Sequence, residues 1–392
     1  MPKVAVLESY KASRSYFTEE HLLFRESLRK FLEKEAFPHF DKWEKDGIIP
    51  RSFWKKLGNN GFLCTWMEEN YGGLNLDFVF AIILCEELAR VGAGLAGIGL
   101  HSEIVTPYIT SYGTEEQKYK YLPGCLRGDI ITAIGMTEPG AGSDLAQIKT
   151  TATKVGDHYI INGQKTFITN GIHADLIIVA CKTDPNANPA HKGISLLLVE
   201  SDTPGFSRGR KLNKVGMHSQ DTAELIFEDA RVPVANLLGE EGKGFSYMMN
   251  KLQRERIIST LRSQVMAEEM LSITLAYVKE RRAFGQSISK FQNTQFTLAE
   301  IATQVQLGRS LLDEVITKYM QGHDVSSEGS MAKWWISDMA RKIAPQCMQL
   351  HGGYGYMEEY KIARMYRDIA ANPIFAGSNE IMKVIIAKNM GM

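Results

Sequence analysis

Apolar positions in the first third of the chain recur with a helical period. Phe24, Leu28, Phe31 and Leu32 share one face. Phe17-Thr18-Glu19-Glu20, just before them, reads as a helix start. Thr18 can cap free N–H groups, the two glutamates favour the positive end of the dipole, and Phe17 can staple onto Leu22. Phe78–Val91 is apolar enough to be a buried helix.

From about residue 131 to residue 238 the period shortens. Residues 150–154, 159–162, 165–169, 176–181, 194–200 and 223–227 form short runs rich in β-branched or aromatic side chains. Gly156-Asp157, Asn162-Gly163 and Asn170-Gly171 punctuate them as turns. Closely spaced short strands predict an antiparallel barrel or sandwich. The helical period then returns over residues 245–282, 294–321 and 326–350, with lengths suited to a four-helix-bundle-like domain. The expected order is a helical domain (1–131), a β-domain (132–238) and a second helical domain (239–392), a multidomain α+β chain.

Composition narrows the function. At 392 residues, two or three cores are expected, and a hydrophobic fraction of 44% can fill them. Forty-five basic residues balance 45 acidic ones, which leaves no electrostatic footprint for nucleic acid or an anionic membrane. The five cysteines are odd in number, scattered and free of any C-x-x-C spacing, as suits a reducing compartment. Residues 1–9 lack the basic and apolar regions of a signal peptide. The longest clean apolar run covers residues 78–85, far short of the ~20 residues of a membrane span. A cytoplasmic location is expected, or the mitochondrial matrix for a processed chain.

Several chemistries drop out. The nine histidines never cluster, so no metal site is expected. No Walker motif or G-x-S-x-G elbow occurs, and Gly353-Tyr354-Gly355 lacks the third glycine of a dinucleotide fingerprint. Met136-Thr137-Glu138-Pro139-Gly140-Ala141-Gly142-Ser143-Asp144 places small flexible positions among hydroxyls and carboxylates. Such a segment lets backbone N–H groups approach ligand oxygens closely. On composition alone the segment reads first as a polar turn after a strand.

That string resembles the signature of the acyl-CoA dehydrogenase family, and four further ordered motifs extend the resemblance over nearly the whole chain. They are Gly163-Gln164-Lys165-Thr166-Phe167-Ile168-Thr169-Asn170-Gly171, then Asp221-Thr222-Ala223-Glu224-Leu225 with Arg231-Val232-Pro233. Arg281-Arg282-Ala283-Phe284-Gly285-Gln286 and Gln349-Leu350-His351-Gly352-Gly353-Tyr354-Gly355-Tyr356 follow. Met331-Ala332-Lys333-Trp334-Trp335 looks most like the long-chain branch. Isovaleryl-CoA, other branched and cyclic thioesters stay open as substrates. An oxidase, or a DNA-associated relative, is disfavoured by length and by neutral charge.

The resemblance implies FAD as cofactor, an acyl-CoA substrate, electron-transferring flavoprotein as acceptor and a homo-oligomer, most typically a tetramer. It places Ile134, Met136, Thr137, Ser143, Phe167, Ile168 and Thr169 at the flavin. Many relatives carry Trp where Phe167 stands. Arg281 and Gln292 are implied at the pyrophosphate and adenosine. Gln349, Leu350, His351, Gly352 and Gly353 would reach a neighbouring subunit's cofactor, and Ser378, Asn379 and Glu380 belong to a flavin-contacting segment. Ser143, Ser246, Arg256, Ala376 and Gly377 are implied at the substrate. Many relatives place the catalytic glutamate where Ala376 stands, and alanine cannot act as a base. Glu255-Arg256-Ile257-Ile258 matches the isovaleryl and long-chain branches, which place it on a helix. Glu255 is therefore the expected base, and Glu380 a weaker rival.

Overall fold

The computed structural model describes Arg14 and residues 16–392. The signal-peptide reading of residues 1–9 lies outside the described residues. Thr18 caps α1 (Glu19–Glu35) through a capping box with His21. The expected staple gives way to a different contact. Phe17 packs under the Arg25 guanidinium, 4.5 Å from Cζ to ring, and Leu22 stays exposed. Helices α2 (Phe40–Asp46) and α3 (Arg51–Asn59) follow. In α4 (Phe78–Val91), capped by Asp77, every side chain but Phe78 and Arg90 is buried. Its apolar residues join both the N-terminal and the C-terminal cores, so α4 ties the two helical regions together. Next come α5 (Ala96–Gly99), a π-helical stretch (Leu100–Val105), α6 (Thr106–Tyr112) and α7 (Glu115–Arg127).

The central sheet comprises β1 (Thr132–Gly135), β2 (Thr151–Val155), β3 (His158–Thr169), β4 (Leu176–Lys182), β5 (Ile194–Glu200), β6 (Phe206–Lys211) and β7 (Thr222–Pro233). The order is β1-β4-β2-β3-β7-β6, with β5 on β4. Pairing is antiparallel except that β1, and the first residue of β2, run parallel to β4. Asn162-Gly163 is not a turn. β3 runs straight through it because β7 pairs along its whole length. Gly163 sits in a bulge at φ 147°, where a Cβ would come within 2.8 Å of Thr150. The charged strand β6, Phe-Ser-Arg-Gly-Arg-Lys, gave no sequence signal.

The C-terminal region is α8 (Gly244–Glu280), a hairpin of β8 (Arg282–Ala283) and β9 (Gln286–Ser287), α9 (Gln292–Met320), α10 (Ser326–Leu350), α11 (Lys361–Asp368) and α12 (Asn379–Asn389). Leu261, Leu271, Ile301, Val305, Ile336 and Ile343 are fully buried between the long helices. Among the described residues no helix is long and apolar enough to cross a membrane.

Candidate active site

A cavity of about 830 Å³ opens where α4, the 92–104 stretch, the sheet and α8 meet. Its sheet side is built from two of the sequence motifs. After β1 the chain turns tightly, with reciprocal backbone hydrogen bonds between Glu138 and Ala141. Glu138 does not face the cavity. Its carboxylate accepts from the Thr150 N–H at 2.9 Å and from the fully buried Lys165 Nζ at 2.8 Å. Lys165 also donates to Met136 O at 3.2 Å, so one ammonium staples the whole loop. Met136, Thr137 and Ser143 are left facing the cavity.

On β3 the register slips between Lys165 and Ile168. Thr166 N–H is diverted to Thr137 O at 2.9 Å, and Phe167 takes φ 60°. A non-glycine residue held in that region is strained, and the packing around it must pay for the strain. The bulge turns Phe167 into the cavity beside Ile168 and Thr169. Gln220 Nε2 donates to Thr169 Oγ1 at 2.9 Å. Gln220 Oε1 and Thr222 Oγ1 are buried, line the cavity and have no partner among the described residues.

Glu255 faces the cavity from α8, only 8% exposed. It is not the solvated partner of its helix neighbours. Arg254 is drawn to the buried Glu103, donating to its carboxylate and, at 3.1 Å, to its carbonyl. Lys251 donates to Ser111 Oγ at 2.5 Å. Among the described residues Glu255 receives one hydrogen bond, from the Tyr108 hydroxyl to Oε1 at 2.9 Å. Burial pushes its acid up to about 7, against the opposing effects of Tyr108, Arg256 and Lys251. Arg256 is buried beside it, with a single long contact among the described residues, to Ser330 Oγ at 3.4 Å, and an Nε that has no partner among them. Ala376 and Gly377 line the same cavity with φ of 54° and 84°. Among the described residues their N–H groups find no acceptor.

Three family profiles match the chain. They are described as the acyl-CoA dehydrogenase N-terminal, middle and C-terminal domains, over residues 18–129, 133–230 and 242–391. The chain is 46% identical over 378 residues to a long-chain specific acyl-CoA dehydrogenase, mitochondrial, of Sus scrofa, covering 96% of this chain and 88% of that one. The chain belongs to the acyl-CoA dehydrogenase family. Among solved structures, an acyl-CoA dehydrogenase from Geobacillus kaustophilus is 64% identical, with TM-score 0.96 over 97% of this chain and 100% of that one. Butyryl-CoA dehydrogenase from Megasphaera elsdenii is 35% identical, with TM-score 0.92 over 97% and 100%. The acyl-CoA dehydrogenases are flavoprotein oxidoreductases of fatty acid β-oxidation.

Not every expected residue of this acyl-CoA dehydrogenase reaches the cavity. Ile134, Met136, Thr137, Ser143, Phe167, Ile168, Thr169, Glu255, Arg256, Ala376 and Gly377 do. Arg281, Gln349, Leu350, His351, Gly352 and Gly353 line a second, open cavity of about 680 Å³. There Tyr277 stacks on His351 at 4.4 Å and donates to its carbonyl at 3.0 Å. Ser246 and Gln292 are exposed in the first turns of α8 and α9 and line neither cavity. Ser378 caps α12, and Glu380 is exposed in its first turn. Asn379 is buried, accepting from Lys333 Nζ at 3.1 Å and Ser337 Oγ at 3.0 Å. Among the described residues no cluster suits a metal ion.

Sequence reasoning missed Tyr108, Gln220, Thr222 and Arg262. Thr222 lies in the Asp221-Thr222 motif and Gln220 directly before it, so that motif could have found both. Arg262 lies two helical turns after Glu255, so period alone could have found it. Tyr108 stands 147 positions from its partner, and nothing local marks it.

Proposed function

We propose that this chain is an FAD-dependent dehydrogenase of fatty acyl-CoA thioesters, long-chain by its stretch at residues 331–335 and its likeness to the Sus scrofa enzyme, with Glu255 as the catalytic base. The observation that carries the reading is the buried Glu255 carboxylate in a largely apolar cavity that it shares with Ala376. A carboxylate that takes a proton from carbon next to a thioester needs a dry site and a pKa near the working pH. Glu255 has both. Tyr108 fixes Oε1 and leaves Oε2 to receive the proton. The free N–H of Ala376 suits the thioester oxygen, which gains negative charge as the proton leaves. The unpartnered Nε of Arg256 suits a polar part of the substrate.

The residues present fit FAD. The unpartnered Gln220 Oε1 and Thr222 Oγ1, with Thr169, Ser143 and the ring of Phe167, would hold the flavin ring. Arg281 in the second cavity would hold the pyrophosphate. When bound, FAD supplies the acceptor for the β-hydrogen and its electron pair. The Gln349–Gly353 segment would serve a neighbouring chain's cofactor, which makes the working form a dimer or tetramer. Electron-transferring flavoprotein would be the next acceptor.

The test is a purified, yellow protein with one FAD per chain that turns over a panel of straight, branched and cyclic acyl-CoA thioesters with ferrocenium as acceptor. Long straight chains are expected to lead. A colourless protein that cannot be reconstituted with FAD would overturn the proposal.

A further inference from the structure

Beyond Glu255 the cavity continues between α8 and α4. Its walls there are Cys85, Leu88, Ala89, Leu95, Ala96 and Gly99, small or apolar throughout. This is the compartment that an acyl tail would enter. One side chain is out of character. Arg262 lines the cavity seven residues after Glu255. Seven residues are nearly two full turns, so both side chains leave the same face, about 10.5 Å apart along the axis.

Among the described residues no acid pairs directly with Arg262. It forms no ion pair or hydrogen bond with any described residue, and its Nε is buried without a partner. Its guanidinium lies 4.4 Å over the ring of Phe375, which soothes the charge but accepts no hydrogen bond in the guanidinium plane. Burial holds the cation down to about 10, the thiol of Cys85 and the acid of Asp368 acting weakly against it. Asp368 is committed elsewhere, accepting the Met217 N–H at 2.6 Å, and burial together with Glu44 pushes its own acid up to about 7. One turn back, Ser259 Oγ is also buried, without a partner among the described residues, and on the cavity wall. A saturated tail would seal this cation and hydroxyl into hydrocarbon with nothing to bond.

We propose that the tail compartment takes acyl-CoA thioesters ending in a second carboxylate, with Arg262 as the distal anchor and Ser259 as a further donor. The inference rests on Glu255 being the base, because that places the thioester end of the substrate at one end of the stripe and the terminal carboxylate at the other. Arg262 touches no reacting atom. Its work is selection among tails.

The experiment compares kcat/KM of the holoenzyme for matched pairs of substrates, suberoyl-CoA against octanoyl-CoA and sebacoyl-CoA against decanoyl-CoA. The wild type should use the carboxylate-ended member at least as well as the plain one. In Arg262→Met the ratio within each pair should fall by at least about tenfold, mostly through KM, the size expected for losing one charge-assisted hydrogen bond. Arg262→Lys should recover part of that loss. If the wild type turns over decanoyl-CoA but rejects sebacoyl-CoA, the inference fails and the dehydrogenase reading stands. An Arg262→Met change that depresses both members equally also overturns it, because a merely structural role would do that. If the wild type turns over neither, the base assignment fails first. Should Arg262→Met not fold, the wild-type ratios decide the matter alone.

Discussion

Replacing Tyr108 by phenylalanine keeps the ring and removes one hydroxyl, the only group among the described residues that hydrogen-bonds the Glu255 carboxylate. The acid stands at about 7, lifted by burial and restrained partly by that bond. A hydrogen bond to a charged group contributes ~1.5–3 kcal/mol, and ~1.4 kcal/mol corresponds to one pKa unit, so the acid should climb by about one to two units. A base works only when ionised, so the rate rises with pH through its pKa. In Tyr108→Phe the acidic limb of kcat/KM against pH should therefore shift upward by that amount. Turnover near neutrality should drop roughly five- to fiftyfold, with much of the loss restored at higher pH. Ferrocenium reduction measured across the acid and alkaline range reads the limb directly. A limb that stays in place while activity falls uniformly would show that Tyr108 does not act on the base.

Three further outcomes follow from the same geometry. The Glu255 acid is raised from 4.5 to about 7, so its ionisation weakens the fold as pH climbs through that window, by at most ~3 kcal/mol. Glu255→Gln should accordingly melt higher than wild type above neutrality and lose that advantage toward pH 4.5, and a pH-independent difference in calorimetry would contradict the assignment. Lys165→Met strands the buried Glu138 carboxylate and should lower stability by ~3–5 kcal/mol in denaturant titration, with FAD released more easily; an unchanged midpoint would show that the staple is idle. The double change Glu255→Ala with Ala376→Glu should recover part of the turnover that Glu255→Ala loses, since both positions face one cavity; no recovery would count against a shared target.

The long helices were legible because their apolar period persists for many turns. Phe78–Val91 and Ser326–Leu350 end where the pattern ends. The strands were harder. The two short runs that look separated by Asn162-Gly163 are one strand, since the partner strand β7, not the local turn signal, decides where β3 stops. Strand β6 is half charged and is held by pairing to β7 rather than by burial. The site divides in the same way. Contiguous motifs delivered the residues on the sheet side of the cavity. The contacts that give them chemistry lie far apart in sequence. Tyr108 meets Glu255 only because the two helical domains are folded together, and Lys165 meets Glu138 only because β3 returns past the loop after β1. Arg254 beside Glu255 could equally have neutralised it, and only the position of Glu103 shows that it does not.

The central claim is that Glu255 removes the proton that allows an FAD-loaded protein to oxidise an acyl-CoA. Anaerobic stopped-flow mixing with a long-chain acyl-CoA, followed at the flavin absorbance band, tests it in a single turnover. The wild type should bleach rapidly. Glu255→Gln, with FAD and acyl-CoA still bound, should bleach at least ~10²-fold more slowly, the lower end of what general-base catalysis contributes. Equal rates of bleaching in the two proteins would contradict the account.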